Sequence, residues 1–112
     1  MTAWTYYGPT GAPVKITFVG WGELERMGQP TETVGPRALE LLLRARSTTS
    51  GTLVLRHDRE HNAERMAARR LCERGLLHWP NAMGGQIAGA SSWLYFYALT
   101  ERGRTAWLRS KA

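Results

Sequence analysis

The chain has a single cysteine in 112 residues, so an internal disulfide is excluded and a reducing, cytoplasmic setting is expected. No apolar run approaches membrane-spanning length, and no membrane partner is expected. The start, M-T-A-W-T-Y-Y-G-P, lacks a basic n-region and a leucine-rich h-region, so a secretory signal is not expected either. No G-x-S-x-G elbow is present, and G-G-Q-I-A-G at 84–89 has no following lysine to make it a phosphate loop. With no positioned nucleophile and no cofactor motif, neither an enzyme nor a cofactor is expected. Internal repeats are also missing, and 112 residues is one domain's length.

Lysine is nearly missing as well, since thirteen of the fifteen cations are arginine. Arginine suits bidentate phosphate and guanine contacts. A GC-rich genome would raise arginine too, along with alanine and glycine, so the bias alone decides nothing. The distribution of charge is more informative than the net +6 or the sequence pI of about 10.2. Residues 1–43 carry three cations and four glutamates, whereas residues 44–112 carry twelve cations and five acids. The positive excess therefore sits in the later part, which raises the expectation of a nucleic-acid partner.

The centre of that part is A-E-R-M-A-A-R-R-L-C-E-R-G-L-L-H-W, residues 63–79. Ala67, Ala68, Leu71 and Cys72 recur at the spacing of a buried helical stripe, with Arg65, Arg69 and Glu73 on another face. Gly75 stands where a helix stops in the left-handed conformation, and Leu76 to Trp79 reads as a strand. Before this, Pro36 suits a first helical position, and Arg37 to Arg46 follows as a helix with Leu39, Leu42 and Leu43 inward and Leu41 widening the stripe. Trp4–Tyr7 and Val14–Val19 read as a β-hairpin around G-P-T-G-A-P. Its aromatic residues offer a stacking platform, a dimer contact or cover for a small core, and because the segment is not basic the cover is favoured. A short helix is expected around Glu23–Met27, then a linker, T-E-T-V-G.

Ser47 to Asn62 admits a capped helix or a short strand. Thr52, Val54 and Gly51 weaken the helix. After Trp79, residues 81–92 read as a glycine- and serine-rich loop without lysine or arginine. Trp93–Leu99 reads as a strand, and Thr100 caps a last helix, T-E-R-G-R-T-A-W-L-R, anchored by Trp107 and Leu108.

This order of elements, with L-C-E-R-G-L-L at 71–77 similar to the end of a recognition helix and Y-A-L-T-E-R-G-R at 97–104 similar to the second wing strand and following helix of MarR-like and related regulators, resembles the winged helix-turn-helix superfamily and not one family within it. The resemblance covers residues 36–110. It implies an α+β fold, with a winged-helix domain over 36–112 and an N-terminal β-hairpin and linker over 1–35. Counting back from Gly75, Leu53 falls on the usual core leucine of a preceding helix, which favours the helical reading of 47–62. His57 and Asp58 depart from the apolar residue and glycine common in the turn. The resemblance further implies double-stranded DNA as partner, a homodimer reading two half-sites, and a role in transcription regulation. Carried over by position, the groove-facing residues are Asn62, Arg65, Met66 and Arg69, with Arg59 and His61 near the helix N-terminus. The uncharged wing, 81–92, leaves a protein partner as the alternative.

Two other constellations carry less. His57 and His61 are four apart and would share a helical face, and Cys72 or His78 would complete a tetrahedral set. No second close ligand pair accompanies them, so no metal is expected. Cys72, beside Glu73 and inward, reads as a structural thiol.

Overall fold

The computed structural model describes residues 4–9, 20–87 and 90–111. It is a mixed α+β domain, with four helices and two three-stranded sheets among the described residues. None of these helices is long and apolar enough to cross a membrane.

The first sheet joins the two ends of the chain. Strand β1, Trp4–Tyr7, pairs antiparallel with β6, Trp107–Lys111, and β2, Thr31–Thr33, pairs parallel with β6 on its other side. Two expectations change here. The supposed linker Thr31–Thr33 is a strand, and the last helix does not run on through Trp107 and Leu108. Helix α4 covers only Glu101–Thr105, and the chain then extends. Leu108 and Ser110 point inward while Trp107 and Arg109 remain partly exposed, the period-two pattern of a strand. The expected partner of β1, residues 14–19, lies outside the described residues. Helix α1, Trp21–Arg26, seals the edge of this sheet through Leu24 and through Trp21, whose ring lies 6.0 Å from that of Tyr6 and under the Arg109 guanidinium at 4.7 Å.

Helix α2, Pro36–Arg46, starts at proline as expected and buries Leu39, Leu41, Leu42 and Ala45. The next stretch overturns the helical reading of 47–62. Gly51 takes a positive φ of 67°, and the Thr48 hydroxyl bridges the Ala45 carbonyl and the Thr52 N–H, which turns the chain into β3, Thr52–Arg56. Leu53 and Leu55 are both 1% exposed, while Val54 is 45% exposed. That alternation suits a strand, and β-branched Thr52 and Val54 favour it. Only one helix, α3 at Asn62–Glu73, therefore lies between β3 and the next strand.

Helix α3 contributes Ala68, Leu71 and Cys72 to the core and ends as expected at Gly75, φ 77°. The Leu76 N–H donates to the Leu71 carbonyl and the Gly75 N–H to that of Cys72, the paired closure of a Schellman motif. Leu76 and Leu77 follow straight into the core, but Leu76–Trp79 makes only a bridge between Leu77 and Leu99. The strand proper is β4, Asn81–Ile87, inside the stretch expected as a loop. It pairs with β5, Ala90–Ala98, and the sheet order is β3-β5-β4. Glycine does not prevent the strand, because at position 84 it makes room for Trp93, whose ring would lie 3.3 Å from an added Cβ.

One apolar cluster spans both sheets and the helices, from Val34 through Leu42, Leu53, Leu71 and Leu77 to Leu108. Burying each of these leucines contributes about 1.5–3 kcal/mol.

Candidate nucleic-acid interface

Helix α3 is amphipathic, and its inward stripe of Ala68, Leu71 and Cys72 leaves an opposite stripe of Asn62, Met66, Arg69 and Arg70 exposed. Met66, at 48% exposed, is a large apolar side chain in the middle of that stripe. Arg69 reaches Glu73 one turn on, at 3.4 Å, with its side chain 65% exposed. An exposed pair of this kind holds its arginine weakly. Arg70, which sequence reasoning passed over, is exposed and has no carboxylate partner among the described residues. Only its place on the helical wheel, one position beyond Arg69, could have signalled it.

The other expected residues are placed unequally. Arg59 is exposed in the turn before α3. His61 is committed locally: its backbone N–H donates to Asp58 Oδ1 at 2.9 Å, and its Nδ1 lies 2.5 Å from the same oxygen. That hydrogen bond from His61 holds the Asp58 carboxyl below the usual carboxylate range. Arg65 is half-buried. It donates to Asn62 Oδ1 at 3.2 Å, its guanidinium carbon stands 5.9 Å from the centre of the Tyr95 ring, and its Nε is buried without an acceptor. The six residues thus occupy one end and one face of α3, but His61 and Arg65 are turned partly inward.

Two shallow grooves meet at Arg65. One, of about 500 Å³, runs among His57, Asp58, Arg59, Asn62 and Arg65. The other, of about 310 Å³, runs among Arg65, Met66, Arg69, Trp79, Tyr95 and Tyr97. Trp79 is 60% exposed, although the sequence pattern placed it in a strand. Of the acids near α3, Glu64 pairs with Arg44 at 3.3 Å, Asp58 with His61 and Arg56, and Glu73 with Arg69 on the face itself, while Glu60 is exposed beside Arg59. The face is left with a cationic surplus.

His57 and His61 do not share a helical face, because residues 57–61 form a turn. His57 Nδ1 faces the Tyr95 hydroxyl at 2.9 Å while His61 faces Asp58. No group of three or more metal-ligating side chains forms among the described residues. Cys72 is buried, its Sγ 3.5 Å from the His78 carbonyl, and burial pushes its thiol up to about 11, which suits packing and not nucleophilic attack. On the far face of the β3-β5-β4 sheet, Val54, Leu94, Phe96 and Met83 come together by register, with Met83 61% exposed.

Comparison with protein-family models, with curated proteins and with solved structures finds no match to this chain.

Proposed function

We propose that the protein binds double-stranded DNA in the manner of a winged helix, laying α3 in the major groove, and that it acts as a small transcriptional regulator. The observation that carries this reading is the exposed stripe of Asn62, Met66, Arg69 and Arg70, continued by Arg59, on a helix anchored from behind by Ala68 and Leu71. Asparagine and arginine are the side chains best suited to adenine and guanine edges. The strand order β3-β5-β4 gives a β4–β5 hairpin as wing, and α2, packed against α3, acts as the supporting helix. The departure from the superfamily pattern is that β3 and the turn at 57–61 stand where the first helix of the helix-turn-helix pair is expected. A dimer presenting two copies of α3 extends a short reading surface to two half-sites.

Arg69→Ala is expected to weaken binding to a preferred duplex by about 1–3 kcal/mol if the guanidinium makes a bidentate base contact. Arg70→Ala is expected to weaken specific and random duplexes alike, as a phosphate contact does. Electrophoretic or anisotropy titration of both variants checks this, and unchanged affinity in both removes α3 from the interface.

A second reading, binding to a protein, is favoured by one observation. The hairpin carries no cation between 81 and 92 yet exposes Met83 and Trp93, the latter at 55%. Under that reading the arginine variants leave partner binding intact.

A further inference from the structure

Beyond Arg65, Met66 and Arg69, the groove between α3 and β5 is lined by Trp79, Pro80, Tyr95 and Tyr97, which duplex binding does not use. We propose that it is a seat for one unpaired base, so that the preferred DNA carries a nucleotide out of the stack beside the duplex that α3 holds. This rests on the DNA-binding reading above. Its volume of about 310 Å³ lies at the low end of small-molecule sites, about 300–1,000 Å³, which suits one planar group and no larger element. Trp79 presents more than half of its indole to solvent, and Tyr95 lies across the same groove. Aromatic faces of this kind stack bases with little regard to sequence.

Charge identifies the occupant. Arg65 and Arg69 line the groove and no carboxylate does, among the described residues. An extruded nucleotide brings a base to the aromatic rings and a flanking phosphate to the Arg65 guanidinium. A neutral aromatic ligand would leave the Arg65 guanidinium without a counter-charge among the described residues and Arg69 with only its exposed pair to Glu73.

The test compares a labelled, fully paired duplex with the same duplex carrying a single bulged thymidine, by fluorescence anisotropy at one salt concentration. The proposal predicts about tenfold tighter binding of the bulged duplex, as one stacked base contributes. Trp79→Ala should abolish that preference while the paired duplex is bound as before. Trp79 is exposed, so the variant folds, and circular dichroism verifies it. Equal affinity for the two duplexes, or a preference that survives Trp79→Ala, overturns the base seat and leaves duplex recognition standing. Binding to neither duplex overturns both.

Discussion

Arg46→Met is expected to lower the unfolding free energy by about 3 kcal/mol, the cost of leaving several buried acceptors unpaired. Arg46 ends α2 and donates to three carbonyls: Nε to Gly103 at 3.0 Å, Nη1 to Gly8 at 3.0 Å and Nη2 to Ala106 at 2.6 Å. These belong to α4, to the end of β1 and to the entry into β6, so one guanidinium ties together segments from both ends of the chain. Burial pulls its ionisation down to about 10, still well above neutral, so the group is a charged donor under all ordinary conditions. Methionine keeps much of the aliphatic stem and removes every donor. Arg46→Lys should recover part of the loss, since an ammonium serves as donor without the planar fork. Urea denaturation followed by tryptophan fluorescence measures it, and a loss under 1 kcal/mol with an unchanged slope would show that solvent, and not Arg46, satisfies those carbonyls.

Gly103→Ala is expected to destabilise by a similar amount, about 3 kcal/mol, against the direction that helix propensity predicts. Gly103 sits inside α4, where alanine is normally favoured by about 1 kcal/mol. A Cβ there would stand 2.0 Å from the Leu76 carbonyl oxygen and 3.2 Å from Leu99 Cδ2. The obstructing atom is backbone in a residue that is 0% exposed, so it cannot swing aside. Relief requires α4 to lift from the end of α3, which also strains the Thr100 hydroxyl bond to the Gly75 carbonyl at 2.6 Å. Because packing and propensity predict opposite signs, thermal unfolding of this one variant decides between them. A melting temperature equal to or above that of the parent would contradict the close contact of α4 with Leu76.

The same residues show what was legible in the sequence. Local signals did well where the structure is local: Pro36 at the start of α2, the alanine and leucine stripe of α3, Gly75 closing it, and Thr100, whose side chain accepts from the Gly103 N–H. They did poorly where a partner far along the chain decides. Thr31–Thr33 is a strand because Trp107–Arg109 lies beside it. Asn81–Ile87 holds its strand despite two glycines because β5 supplies the ladder. Thr52, Val54 and Gly51 argue against a helix at 47–62 while the family-like spacing of Leu53 argues for one, and β3 follows the local residues. The arginines mislead in another way. Sequence counts all thirteen alike, yet Arg46 is a clamp, and Arg74 and Arg102 converge on the largely buried carboxylate of Glu32. Part of the positive charge thus serves the fold, while on α3 and the turn before it Arg59 and Arg70 are exposed without a carboxylate partner among the described residues and Arg69 holds an exposed pair with Glu73. Trp79 and Tyr95 went unnoticed as a pair because only the tertiary fold brings them to one groove.

The most direct test of the central claim, that the arginine face of α3 binds duplex DNA, is the salt dependence of affinity for duplex DNA. Arg59, Arg70 and half-buried Arg65 would neutralise two to three phosphates per protomer, so log affinity against log salt should fall with a slope of about −2 to −3. Arg69→Ala and Arg70→Ala combined should make that slope shallower by about 1, the share of Arg70. A slope shallower than about −1, or one that the double variant leaves unchanged, would contradict the claim.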